Sequence, residues 1–224
     1  MMKFFEKRPM AMIVLGVIGI SLSSIFVKFS TAPAAVTAAW RLLWTVALMT
    51  PVVWGSGTVR RELLGVKGTV AILSALSGVF LAIHFAFWFE SLKQTTVASA
   101  SSIVSTEVIW VSLGYALFLK GRMSLRSVLA IAVTLVGSTL IAFADSSAGG
   151  AHLYGYLLSL LAAITVAAYV LLGRVVQKTV STTVYTYVVY STCALALMGM
   201  LLSAAGIGVM VLNGWYSDGL PDWK

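Results

Sequence analysis

Seven times along this chain, an apolar run of about twenty residues passes with one formal charge or none. A helix of that length rises far enough to cross the ~30 Å hydrocarbon layer and satisfies its own backbone groups there. Soluble domains charge roughly a quarter of their residues. This 224-residue chain charges 10%, is 60% hydrophobic, and has a mean hydropathy of +0.99. The runs are uniformly apolar and do not alternate with a period of two, which argues against a β-barrel. The expected fold is an all-α integral membrane protein with about seven transmembrane helices, its largest partner the lipid bilayer.

The runs fall at about 10–27, 36–54, 69–89, 97–119, 127–144, 153–172 and 183–204, the last with room to continue to 212. The first, with the weak cleavage-like site Ala32-Pro33-Ala34, has the look of a signal peptide, but the spans that follow favour a retained helix. Pro51 and the glycines at 55–57 are expected to end the second span, and a short polar hinge at 90–96 to separate the third from the fourth. Lys3, Lys7, Arg8, Arg60, Arg61, Lys67, Lys120, Arg122, Arg126, Arg174 and Lys178 all fall on one side of that layout. The other side holds Lys28, Lys93 and Lys224. The first side is therefore expected to be cytoplasmic, with the N-terminus inside, in the cell membrane. The basic pI near 9.8 comes from these span ends, so no nucleic-acid partner is expected.

Residues 78–118 hold the most expensive chemistry. They carry His84, Trp88, the hinge, and Glu107, an acid with about ten mostly small or apolar residues on either side. An ionisable group in such a setting costs several kcal/mol unless it faces a partner or a wet cavity. Counted at ~1.5 Å per residue, Arg41 and His84 lie ~8 Å below the outer ends of their spans and Glu107 ~15 Å down, close to the midplane. The three can line one outward-opening cavity if their helices face each other.

Each candidate has two readings. Glu107 is a proton or cation site or a counter-charge for a substrate amine, or else a neutral acid fixing helix packing. Arg41 binds a substrate carboxylate or phosphate through its planar fork, pairs with Glu107, or snorkels beside Trp40 and Trp44. His84 is a site residue or a hydrogen-bonded packing residue. Trp88 and Tyr115 wall a pocket or belong to interfacial belts. Glu90, Lys93 and Lys28 read as solvated interface charges. Ser99, Ser101, Ser102 and Ser105 read as a close-packing face. Tyr185, Thr186, Tyr187 and Tyr190 form a polar stripe facing the same cavity or the inner interface.

Enzyme signatures are absent: no phosphate-cradling glycine loop, no paired-histidine metal site, no nucleophile with a nearby base. His84 and His152 stand on different elements, and the single cysteine, Cys193, lies in an apolar run. No cofactor or metal is expected.

Several stretches resemble the drug/metabolite transporter superfamily, specifically its EamA-type members. They are Thr37-Ala38-Ala39-Trp40-Arg41, Leu81-Ala82-Ile83-His84-Phe85-Ala86-Phe87-Trp88-Phe89, Ser91-Leu92-Lys93-Gln94-Thr95-Thr96-Val97-Ala98-Ser99-Ala100, Ser105-Thr106-Glu107 and Gly137-Ser138-Thr139-Leu140-Ile141. Two positions depart from the family pattern. Val108 stands where a proline usually follows the glutamate, and Lys120-Gly121-Arg122 replaces an acidic residue. With Val108 there, the helix carrying Glu107 is expected to be ordinary.

The resemblance implies two inverted five-helix repeats and alternating access of a small-molecule substrate, an amino acid-like solute, another polar metabolite or a drug. A weak echo between 23–49 and 169–198, five spans apart, has the parity an inverted repeat requires. On that plan, 1–9 is a basic leader, 10–144 a first repeat, 145–152 an outer loop, 153–212 a partial second repeat and 213–224 an outer tail. The chain then looks truncated after two helices of the second repeat. A homo-oligomer or a missing C-terminal half would complete it, and transport by this chain alone is expected to be weak or absent. The competing expectation is a non-transporting remnant or partner subunit.

Overall fold

A computed structural model of the chain describes residues 9–32, 34–121, 124–147 and 153–202, and the regular structure among them is helical. In chain order the helices are α1 (Pro9–Phe29), α2 (Ala34–Gly55), α3 (Gly57–Gly65), α4 (Gly68–Gln94), α5 (Val97–Val104), α6 (Glu107–Phe118), α7 (Leu125–Ser147), α8 (Leu153–Val176) and α9 (Thr182–Leu202). Among the described residues, five spans are long and apolar enough to cross a membrane: Ala35–Gly55, Gly68–Gln94, Val97–Phe118, Leu153–Val176 and Thr182–Leu202. The apolar stretches Gly16–Phe29 and Leu125–Ile141 are shorter. The chain is thus an all-α, multi-pass membrane protein.

Helix α4 is the hub. It packs against α8 and α9, while α2 lies on α9 and α4, and α5 and α6 lie on α8. Leu81, Phe89, Leu92, Tyr185, Val189 and Leu197 are among the fully enclosed residues of this core. Helices α1 and α7 flank the bundle, and large apolar side chains such as Phe26, Leu48, Ile72, Val133 and Leu195 point outward. Lipid tails are as apolar as these side chains, so helix association here depends on close packing and polar cross-links.

Both devices are visible. A Cβ built on Gly78 of α4 would lie 2.7 Å from the Val189 carbonyl oxygen and 2.8 Å from Thr192 Cβ of α9, so this crossing admits only glycine. Between α4, α8 and α9, Ser77 Oγ and Tyr185 Oη approach to 2.5 Å, and Ser77 Oγ also donates to the Tyr169 carbonyl at 3.2 Å.

The bundle departs from the sequence reading at several places. Helix α2 runs through Pro51 to Gly55. A proline so close to the helix end removes one of the last hydrogen bonds and is tolerated. The basic loop after α2 contains a helix of its own, α3. Its Glu62 accepts from both the backbone N–H and the hydroxyl of Ser181, just ahead of α9. An acid at a helix N-terminus both caps it and matches its dipole. Glu62→Ala is expected to cost about 1–2 kcal/mol, read as a lower unfolding midpoint in detergent, with Glu62→Gln falling between.

Helix α4 continues to Gln94, a turn and a half beyond the expected end at Phe89. Lys28 of α1 donates to the Leu92 and Thr95 carbonyls at 2.6 Å each, and Lys93 donates to the Ala32 carbonyl. The sequence reads these lysines as solvated interface charges; Lys28 is exposed and Lys93 half-buried, and both also satisfy carbonyls, at the end of α4 and in the α1–α2 connection, which is how a cation stabilises a helix C-terminus.

The fourth span is broken. Ser105 and Thr106 interrupt it, and the Thr106 N–H and hydroxyl both turn back to the Ile103 carbonyl, at 3.0 and 2.7 Å. The helix around Glu107 is therefore not ordinary, despite Val108. A side-chain oxygen competing for a backbone partner does here what the absent proline does by removing one. His152 and the tail at 213–224 lie outside the described residues.

Candidate functional site

Arg41 sits two turns into α2 and is half-buried. Trp40 and Trp44, one turn apart on the same face, are exposed. Arg41 is rotated ~100° from Trp40 and turns towards α4, its guanidinium carbon 5.0 Å from the Phe89 ring centroid and 6.0 Å from that of Phe85. A guanidinium on an aromatic face gains about 0.5–2 kcal/mol and keeps its in-plane N–H groups for an acceptor. Among the described residues it meets no carboxylate, so the expected pairing with Glu107 is not formed.

His84 is buried on α4, and its Nδ1–H donates to the Ala162 carbonyl of α8 at 2.8 Å. A carbonyl only accepts, so in the neutral ring Nε2 carries the lone pair. The imidazole stacks on Trp88 one turn further on, with centroids 5.6 Å apart at 30°. This contact joins the two most intimately packed helices and matches the packing reading of His84. Because α4 ends at Gln94, His84 lies ~15 Å from its C-terminal end, not ~8 Å.

Glu107 opens α6, half-buried, with neither a hydrogen-bond partner nor a cation among the described residues. The break before it places its carboxylate in a first helical turn, where unsatisfied N–H groups and the helix dipole favour negative charge.

Tyr115 stands apart from the other candidates. Arg174, in the last turn of α8, lies 5.4 Å over its ring, and Gly121 covers the same ring so closely that a Cβ there would overlap it. Both contacts belong to the C-terminal ends of α6 and α8. The tyrosines of α9 also divide: Tyr185 enters the Ser77 contact, whereas Tyr187 Oη meets Thr50 Oγ1 at 3.2 Å and accepts from Trp54 Nε1 at 3.3 Å. They do not form one stripe. Of the serine-rich face, Ser99 is buried and the Ser102 carbonyl accepts from Ser138 of α7 at 2.9 Å, in keeping with packing.

The indole N–H groups of the candidate Trp88 and of Trp110, which the sequence does not single out as a site residue, are buried without a hydrogen-bond partner among the described residues. Trp110 follows Glu107 by three residues, hence on the same face of α6. The signal available was that spacing; the missing partner is visible only in three dimensions. A buried orphan donor costs about 1–3 kcal/mol, and a ligand acceptor would relieve it. Among the described residues no group of histidines, cysteines and acids could hold a metal ion.

Compared with known families, residues 7–143 match the model described as the EamA-like transporter family. No curated protein and no solved structure is significantly similar to the chain.

Proposed function

The chain belongs to the EamA-like transporter family, and from this we propose that it is a secondary transporter of a small polar or amphipathic metabolite, coupled to proton movement. The observation that carries the proposal is the broken span, in which Ser105 and Thr106 end one helix and Glu107 begins the next. Interrupted helices presenting a half-helix terminus near the membrane midplane are how transporters build polar sites inside lipid. An acid with no structural partner at that terminus is available to a proton, a cation or a substrate amine.

Arg41 supplies the complementary charge, presented on Phe85 and Phe89 for a substrate carboxylate or phosphate. Trp88 and Trp110 supply directional donors. His84 fixes α4 against α8 and holds the stacked Trp88 in place. A substrate carrying both an amine and an acid, such as an amino acid-like solute, would use all of these groups. Access alternates as one set of helices rocks against the other, with the N-terminus in the cytoplasm.

The test is substrate-dependent pH change inside proteoliposomes. Wild-type protein with both repeats present is expected to move protons with substrate. Glu107→Gln, which keeps the shape, is expected to fold, to lose at least about tenfold in transport rate, and to lose its pH dependence. Transport and pH response both unchanged in Glu107→Gln would remove the proton role.

A further inference from the structure

The C-terminal end of α4 and the start of α5 border an open cavity of about 310 Å³ lined by Lys28, Lys93, Gln94, Thr95, Thr96 and Val97. We propose that this cavity is a binding site for an oxyanion, a phosphate or carboxylate group, separate from the Arg41 and Glu107 region.

Charge is the first argument. The C-terminus of α4 contributes about −0.5 of an elementary charge and the N-terminus of α5 about +0.5. Two ammonium groups stand over this junction, with Glu90 the neighbouring acid, itself accepting from Gln94 at 2.9 Å. The balance is about one positive charge. Capping one helix end does not need two cations. Lys28 spends two of its three N–H donors on Leu92 and Thr95, and Lys93 spends one on Ala32. Three ammonium donors are left over.

The second argument is a hydroxyl. Thr95 is 3% exposed, and its Oγ1 is buried with no hydrogen-bond partner among the described residues. Its methyl is taken up against α8, where a Cβ on Gly155 would meet Thr95 Cγ2 at 3.1 Å. Lining residue, buried and unmatched, it is a donor held in reserve beside two cations.

The third argument is the start of α5. Thr96 Oγ1 accepts from the Ser99 N–H at 3.2 Å, and the Thr96 carbonyl accepts from the Ala100 N–H at 3.0 Å. The N–H groups of Val97 and Ala98 remain as first-turn donors, the arrangement that binds oxyanions at helix N-termini. Lysines, a hydroxyl and backbone N–H groups are all donors, so the cavity suits a ligand that only accepts.

The anion can come from two sources, a free solute or the headgroup of an anionic phospholipid, and the experiment separates them. The full chain is placed in phosphatidylcholine nanodiscs and its thermal unfolding followed with inorganic phosphate against chloride at equal ionic strength. A parallel set uses phosphatidylglycerol nanodiscs without phosphate. A saturable phosphate-specific rise in the midpoint is expected, or, for a lipid headgroup, the same rise in phosphatidylglycerol alone. Thr95→Val removes only a hydroxyl that the fold itself does not use, so it should leave the ligand-free midpoint unchanged or higher while weakening the anion response about tenfold. Lys93→Gln keeps a donor for Ala32, removes the charge, and should weaken it by tenfold or more. Phosphate and chloride acting alike with no phosphatidylglycerol effect, or Thr95→Val responding as wild type does, would overturn the site. Because binding is read and not transport, neither result bears on the proposed function.

Discussion

Gly78→Leu is expected to abolish the folded bundle. The added Cβ alone would sit 2.7 Å from a backbone oxygen of α9 and 2.8 Å from Thr192 Cβ, closer than real Cβ contacts allow, and the Cys193 nitrogen is 3.2 Å away. Backbone cannot swing aside as a side-chain tip does, so the helices must separate. Separation is costly at this point because α4 is the hub and the crossing lies among Leu81, Val189 and Cys193. Overpacking by one methyl typically costs about 1–3 kcal/mol, which Gly78→Ala should show. Leucine adds three more carbons with nowhere to go, and total stability is only about 5–15 kcal/mol. The expected result is loss of the monodisperse peak in detergent gel filtration. Gly199, in α9, has nothing within 4 Å of its built Cβ. Gly199→Ala should be neutral or slightly stabilising, which separates a specific crossing from a general intolerance of change. Equal behaviour of Gly78→Ala and Gly199→Ala would refute the crossing.

What the sequence revealed and what it concealed follow from the range of the forces involved. Span existence was legible, because twenty apolar residues leave a chain in lipid no other way to satisfy its backbone. Span ends were less so. The extension of α4 to Gln94 depends on Lys28, which is 64 positions from Leu92, and no local pattern announces that pairing. The break at Ser105–Thr106 did carry a local signal, since a hydroxyl beside its own backbone competes for the helix carbonyls. A rule that looked only for proline passed over it. Tyr115 could have been placed by the same depth count used for Glu107, since it lies four positions before Leu119, at the C-terminal end of its span. The facing of Arg41 could not, because a single helix carries no information about which side its neighbours occupy. The close spacing of Trp40 and Trp44 gave half of it: the exposed face of α2 was theirs.

That facing makes Arg41 the residue whose replacement should most affect transport. Two readings of it predict opposite results for a conservative change. An arginine that snorkels beside interfacial tryptophans is used only as a long cationic side chain, and lysine serves equally well. An arginine laid on Phe89 at 5.0 Å and offering its edge to a substrate acid is used for its planar fork, which lysine lacks. The structure turns Arg41 away from the exposed Trp40 and Trp44 and towards α4, with no carboxylate among the described residues to neutralise it. Arg41→Lys is therefore expected to weaken the apparent affinity for an acid-bearing substrate by about tenfold, and Arg41→Gln by about a hundredfold. Both variants should keep the wild-type unfolding midpoint to within the ~0.5–2 kcal/mol of a cation–π contact. The measurement is the concentration dependence of initial uptake in proteoliposomes, with folded protein quantified by gel filtration. Loss should appear in apparent affinity before maximal rate if, as proposed, the guanidinium binds the substrate and does not carry the proton. Arg41→Lys transporting as wild type does would return the residue to the interface and leave Glu107 as the one charged group of the site.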